Sequence, residues 1–324
     1  MKTRLLGKTG FEVSEIGLGC WQLGGDFGPV EDEAASAILD AANGAGINFW
    51  DTADVYGGGL SERRIGAHVK APDVKVATKL GRSAALFPNK YSKDRVRESL
   101  VGSAQRLGVA ALDLAQLHCV PTEVLREGEI FGWMDEFKAE GLVRHWGASV
   151  ETIEEGLICL EQPGCATLQI IFNLLRQDAA DKLLPLAAEK NVGIIVRLPL
   201  ASGLLSGKYD KTSTFDTSDH RNYNRDGQAF SVGETFSGIK FERGVELVQE
   251  LKGLAPEGVP MSHFALRWIL DHPQVSTIIA GVSKPEQIAD NVAATERKSL
   301  FPALMTQLGE WYRQEVKPEI RGGV

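Results

Sequence analysis

The sequence predicts an α/β fold, a single (β/α)8 TIM barrel over residues 1–324 with an N-terminal β-hairpin and extra helices near the C-terminus. Three observations carry that prediction. Eight short apolar runs recur along the chain, segments of helical periodicity separate them, and no composition break divides the 324 residues. Strand and helix in repeated alternation give parallel strands joined by right-handed crossovers, and eight such strands close a barrel. A doubly wound sheet is the structural alternative.

Taken in order, Arg4-Leu5-Leu6 and Phe11-Glu12-Val13 flank a glycine-marked turn, Gly7-Lys8-Thr9-Gly10, and read as a short hairpin. The eight strand candidates follow at Ile16–Cys20, Ile47–Thr52, Val74–Leu80, Leu112–Cys119, Val143–Ser149, Leu168–Asn173, Gly193–Pro199 and Ser276–Val282. Between them, Val96, Leu100, Ala104 and Leu107 form one helical stripe, with Lys93, Arg97 and Arg106 facing elsewhere. Ser61 and Ser92 stand where helix-capping side chains are needed. From Ser206 to Lys240 the chain is rich in Asp, Ser, Thr, Asn and Gly, and reads as a long loop. In a barrel it would follow the seventh strand on the active face, where a connection of this length acts as a lid. Helical runs at Phe241–Leu254 and Met261–Asp271 precede the last strand, and Leu300–Val316 reads as a terminal helix.

Composition narrows the function classes. A formal charge of −8 offers no general attraction to phosphate backbones or anionic membranes, so nucleic-acid partners are not expected. No stretch is long and apolar enough for membrane insertion, the N-terminus shows no extended apolar signal region, and the expected location is cytoplasmic. Cys20, Cys119, Cys159 and Cys165 have no paired spacing for disulfides or metal ligation, and the histidines have none for a metal site. No metal is expected. Cys119 directly follows His118 and, by strand alternation, should point to the opposite face.

The chemistry concentrates at strand ends. Asp51 and Tyr56 lie at and just beyond the second strand, Lys79 near the end of the third and His118 near the end of the fourth. A barrel gathers C-terminal strand ends on one rim, which turns separations of tens of residues into side-chain contact. There the Lys79 ammonium would stabilise the Tyr56 phenolate and lower the phenol pKa, Asp51 would hold Lys79, and His118 would donate to a carbonyl oxygen gaining negative charge. Trp21, at the end of the first strand, is expected to close the substrate pocket with Tyr56 and His118, whereas Trp50 should pack outward. Gly17-Leu18-Gly19 carries Gln22 where a dinucleotide fingerprint needs its third glycine, so the early glycines are not a Rossmann site.

Asp51-Thr-Ala-Asp-Val-Tyr56-Gly, Ala77-Thr-Lys79 and Gln116-Leu-His118 resemble the catalytic-tetrad signatures of the aldo-keto reductases. Gly17-Leu-Gly-Cys-Trp21, Gly141-Leu-Val-Arg-His-Trp-Gly-Ala-Ser149 and Leu200-Ala-Ser-Gly-Leu-Leu-Ser-Gly-Lys208 extend the resemblance over nearly the whole chain. It implies hydride transfer between a nicotinamide cofactor and an aldehyde or ketone, or the corresponding alcohol, with Tyr56 as general acid/base. Ser149 and Gln169 would hold the nicotinamide carboxamide, and Leu200, Ser202 and Leu204 would follow the pyrophosphate. Ser283, Lys284 and Gln287 would face a ribose phosphate, with Asp290 and Asn291 at the adenine. The pattern favours NADP(H), with NAD(H) not excluded. Arg197 departs from the family, whose members often stack an aromatic residue on the nicotinamide there; a substrate anion or the 206–240 loop are its other expected partners. Two alternative functions stand beside this one: a cofactor-sensing regulatory subunit of the same fold, and a lyase or aldolase using Lys79 as a Schiff-base nucleophile.

Overall fold

The computed structural model describes residues 1–25, 27–68 and 73–324. The chain opens with two antiparallel strands, β1 (Thr3–Leu5) and β2 (Glu12–Ser14), joined through a turn at Gly7–Thr9. Eight parallel strands then close on themselves: β3 (Ile16–Gly19), β4 (Phe49–Asp51), β5 (Lys75–Leu80), β6 (Leu112–His118), β7 (Val143–Ser149), β8 (Cys165–Ile171), β9 (Gly193–Arg197) and β10 (Val275–Gly281). Each pairs with the next in sequence, and β10 pairs with both β9 and β3. The barrel, its hairpin and its extra C-terminal helices are thus as the sequence predicts. The strand boundaries differ most at β8, which begins at Cys165, where it pairs with Trp146, and at β4, which is limited to three residues.

Strand alternation sorts side chains into two cores. Outward-facing Trp50, Leu117, Trp146, Ile170, Ile194 and Ile278 pack under the surrounding helices. Trp50 donates its indole N–H to the Ile47 carbonyl at 3.1 Å, consistent with the packing role expected of it. Inward-facing Phe49, Ala77, Leu114, Ile195 and Ile279 meet Leu6 and Val13 of the hairpin in a separate apolar plug at the N-terminal end of the barrel. The hairpin seats there because Gly7, with φ +50°, abuts the Gly193 backbone, and a Cβ at Gly7 would overlap it.

The helix at Lys93–Leu107 buries Val96, Leu100, Ala104 and Leu107 as its periodicity requires, and Ser92 Oγ caps it by accepting from Arg95 N. Ser61 is a correction to the capping assignment. Its helix starts at Leu60, so Ser61 lies inside the first turn, accepting from Thr52 Oγ1 at 2.8 Å and donating to the Cys20 carbonyl at 2.8 Å. The terminal helix spans Pro302–Trp311 and widens into a π turn at Tyr312–Val316. Residues 206–240 contain the short helix His220–Tyr223 and turns at Val232–Glu234 and Phe236–Gly238. Buried Asn224 organises this segment by accepting from Ala229 N and Phe230 N, each at 2.9 Å, and donating to Thr235 Oγ1 at 3.0 Å.

Candidate active site

At the C-terminal end of the barrel the inward-facing positions become polar. Asp51 stands two residues after Phe49 on β4, Lys79 two after Ala77 on β5, and Gln116 and His118 two and four after Leu114 on β6. Period-two alternation therefore lifts four side chains from the apolar plug into one polar layer. Lys79, 1% exposed, donates to Asp51 Oδ1, to the Thr52 carbonyl at 3.0 Å and to the Tyr56 hydroxyl at 3.2 Å. Asp51 Oδ2 accepts from Gln116 Nε2 at 3.0 Å and Gln169 Nε2 at 2.8 Å. Tyr56 meets His118 edge to face at a ring separation of 5.9 Å. The turn carrying Tyr56 lies against Gly24, and Gly57, with φ +57°, has no room for a side chain there.

Electrostatics at this layer depart from one expectation. Burial pushes the Tyr56 phenol up to about 12; the Lys79 ammonium opposes that shift without reversing it. Tyr56 is therefore held as a protonated donor, and the lowered pKa expected from the sequence is overturned by burial. Burial also disfavours the Lys79 ammonium, but the Asp51 carboxylate and Tyr56 outweigh it and raise the lysine above its ordinary value. Burial, aided by Lys79, Arg82 and Arg197, drives His118 well below the ordinary histidine range, leaving a neutral imidazole with one N–H to donate. Its Nδ1 is buried without a partner among the described residues.

These residues open onto a cavity of about 290 Å³, lined at this end by Trp21, Phe27, Tyr56, His118, Arg197 and Glu234. Trp21 stacks on Tyr56 at 5.8 Å with an interplanar angle of 20°. Its other ring neighbours are Phe27 at 5.1 Å, together with His220 at 4.8 Å and Phe230 at 6.1 Å from the 206–240 segment. Arg197 closes β9 and is 7% exposed, its Nη2 donating to the Val150 carbonyl at 3.1 Å while Nη1 pairs with Glu234 Oε1 at 3.3 Å. Arg82 pairs with Glu151 at 3.1 Å and reaches Glu234 at 3.9 Å.

Cys119 joins this cluster, which corrects its sequence-based orientation. The strand ends at His118 and Cys119 turns to φ +46°, so alternation no longer applies, and its thiol lies 3.7 Å from Glu234 Oε1 and 3.8 Å from Arg197 Nη2. Burial pushes that thiol up to about 12, which keeps it protonated and a poor nucleophile. Ligand atoms of Cys119, Glu151 and Glu234 lie within 4.8 Å of one another, but Arg82 and Arg197 already supply positive charge to the two carboxylates.

From Tyr56 and His118 the cavity continues past Leu200, Ser202, Gly203 and Ser206 to Ser283 and Gln287. Ala201, Ser202 and Gly203 all have positive φ, bending the backbone tightly around the cavity wall. At the far end Gln287 Oε1 accepts from Ser283 N at 2.7 Å, Lys284 N at 3.1 Å and Ser283 Oγ at 3.2 Å. The other expected positions fall around this path. Ser149 is buried and donates to Gln169 Oε1 at 3.4 Å, Leu204 is buried in the outer core, Lys284 is exposed, Asn291 is buried, and Asp290 meets His263 Nε2 at 3.0 Å. Five residues to which the sequence assigns no role also matter. Gln116 fixes Asp51, while Lys208, Tyr209, Arg221 and Glu234 line the cavity from the long segment. Gln116 stands two residues before His118 on the inward face, a spacing that could have identified it; the other four carry no such signal.

The Aldo/keto reductase family model matches residues 15–310 of this chain. L-galactose dehydrogenase of Arabidopsis thaliana is 30% identical, covering 93% of this chain and 90% of its own. Among solved structures, glycerol dehydrogenase from Gluconobacter oxydans superposes with a TM-score of 0.79 at 26% identity, over 100% of this chain and 98% of its own. The holo form of an aldo-keto reductase from Bacillus halodurans gives a TM-score of 0.77 at 26% identity, over 99% of this chain and 98% of its own.

Proposed function

This chain belongs to the aldo/keto reductase family of oxidoreductases, and from that premise we propose that it interconverts small carbonyl compounds and their alcohols with NADP(H), using Tyr56 as the general acid/base. The observation that carries the reading is the buried chain Asp51, Lys79, Tyr56, whose tyrosine lines the cavity beside a neutral His118. A nicotinamide cofactor, when bound, supplies or accepts the hydride. In reduction, Tyr56 gives its phenolic proton to the carbonyl oxygen as negative charge develops there. Lys79 stabilises the phenolate left behind, Asp51 holds Lys79 charged, and the His118 N–H orients the same oxygen. Oxidation of an alcohol returns the proton to Tyr56.

The residues present fit a dinucleotide. Three donors converge on the single oxygen of Gln287 Oε1, the coordination a phosphate oxygen seeks. Ser283, Lys284 and Gln287 would hold the ribose phosphate, Leu200, Ser202 and Leu204 with Lys208 and Arg221 the pyrophosphate, Ser149 and Gln169 the carboxamide, and Asp290 and Asn291 the adenine. The ribose-phosphate position is the reason for preferring NADP(H) over NAD(H). Arg197 is assigned to the substrate side through Glu234, and the 206–240 segment to the lid. A Schiff-base role for Lys79 has little support, because the ammonium is held protonated and nucleophilic attack needs the free amine.

The test follows nicotinamide absorbance with small aldehydes and alcohols. Tyr56→Phe is expected to lower kcat by about 10²- to 10⁴-fold with cofactor binding retained. Near-normal turnover in that variant would overturn the assignment of Tyr56. Tight cofactor binding by the unaltered protein, with no turnover of any carbonyl, would favour the regulatory-subunit reading.

A further inference from the structure

The stretch from Arg225 to Gly238 reaches the cavity wall at its middle and is tied together at its base. At the wall, the Phe230 ring stands 6.1 Å from that of Trp21 and Glu234 pairs with Arg197 at 3.3 Å; Trp21, Arg197 and Glu234 all line the cavity. Within the stretch, buried Asn224 accepts from Ala229 N and Phe230 N and donates to Thr235 Oγ1, which makes its middle move with its ends. At the base, residues 321–323 cross it. Arg321 donates from N and Nε to the Gly238 carbonyl at 3.1 and 2.9 Å, from Nη1 to Asp226 Oδ1 at 2.5 Å and from Nη2 to the Arg225 carbonyl at 3.4 Å. One residue thus joins both ends of the stretch. Gly238 has φ +83°, and a Cβ there would lie 2.6 Å from the Arg321 carbonyl, so the close crossing requires glycine. The crossing segment is itself held where buried Arg176 donates to the Gly323 carbonyl.

The partners of Arg321 in the stretch are Arg225, Asp226 and Gly238, and none of the three lines the cavity. Any influence of Arg321 on the site therefore passes through the stretch it ties. A guanidinium suits that task, because its fixed fork of donors can hold a carboxylate and two carbonyls at once, whereas an ammonium is a single point of charge. We propose that Arg321 is a positioning residue, closing the neck of the 225–238 stretch and so holding Phe230 and Glu234 in place on the wall of the cavity. Its effect is on the fraction of molecules whose cavity wall is complete. If substrate binds that fraction alone, losing the clamp raises KM by the factor by which the fraction falls, while saturating substrate draws the stretch back and preserves kcat. That kinetic consequence rests on the oxidoreductase reading above; the clamp rests on the contacts alone.

The test takes the full-length protein with Arg321→Ala and Arg321→Lys and makes two measurements on each. One is the rate of chymotrypsin cleavage after Phe230 under native conditions, and the other is steady-state turnover of glyceraldehyde with NADPH. Arg321→Ala is expected to speed cleavage about tenfold and to raise KM by about the same factor, as loss of hydrogen bonds from a charged group does, with kcat within about twofold. Arg321→Lys keeps the charge opposite Asp226 without the fork, and about threefold is expected in each quantity; it decides the matter should the alanine variant not fold. A cleavage rate unchanged by the substitution overturns the clamp. Faster cleavage with an unchanged KM overturns the positioning role, as does a fall in kcat as large as the rise in KM, which would assign Arg321 to general stability. Absence of turnover by the unaltered protein with any small carbonyl would sink the oxidoreductase reading and the kinetic consequence with it, while the cleavage rate would still decide the clamp.

Discussion

The two ends of the barrel are built on the same strands and differ almost completely in chemistry. At the N-terminal end, inward-facing Phe49, Ala77, Leu114 and Ile195 pack against the hairpin residues Leu6 and Val13, with no ionisable side chain among them. Two residues further along the same strands stand Asp51, Lys79, Gln116 and Arg197, all buried. Two residues of strand are only about 7 Å. The apolar plug excludes water from below, and that exclusion makes the polar layer consequential. Burial drives His118 to neutrality, keeps Tyr56 protonated and forces Lys79 to depend on Asp51 for its charge. One end supplies stability without chemistry; the other holds polar groups that cost stability unless each is paired.

Variants at the two ends should separate those roles. The largest expected effect is at the polar layer, where Lys79→Met leaves the buried Asp51 carboxylate without its cation. The free energy of unfolding should fall by about 3–5 kcal/mol in a urea titration, together with loss of turnover. At the apolar end Leu114→Ala should cost about 2–5 kcal/mol through lost burial and a residual cavity. Its kcat/KM should stay close to that of the unaltered protein; a loss of turnover matching that of Lys79→Met would break the division between the ends.

A smaller effect appears in acid. His220, fully buried against Trp21 and Phe27, is lowered by burial from 6.5 to about 4, and the nearby Asp219 does not offset this. The folded protein therefore binds this proton less readily than the unfolded chain. Stability from this group is complete above pH 6.5 and is lost as pH falls towards 4, by about 3 kcal/mol at pH 4. Thermal melts of His220→Phe between pH 4 and 7 should show a shallower acid-side decline than the unaltered protein. His118 contributes in the same direction, so some decline persists; identical slopes in the two proteins would remove His220 from the account.

The sequence carried most of the fold because apolar periodicity is a local property. The strands, the hairpin and the Lys93–Leu107 helix follow from residues spaced two or three to four apart. Ser61 shows where local reading fails, since a serine before a charged residue looks like a cap whether or not the helix has already begun. At the active end, the positions of Asp51, Lys79 and His118 were legible because each lies at the end of a recognisable strand. Arg82 and Glu234 were not, for they lie outside the strands, where no periodicity marks an inward-facing position. Cys119 was misread for a related reason: alternation predicts orientation only while the strand lasts.

What the sequence determined by itself is therefore the set of strand ends and the residue types standing on them, because these depend on short-range spacing and backbone sterics. Tertiary structure alone decided the protonation of those residues and the company they keep. The Tyr56 phenol rises to about 12 although a lysine touches it, because desolvation by the closed barrel exceeds the pull of one ammonium. Glu234 reaches Arg197 across 37 residues of chain because the 206–240 segment folds back over the rim. Burial and long-range contact are sums over the whole fold, and no local window of sequence contains them.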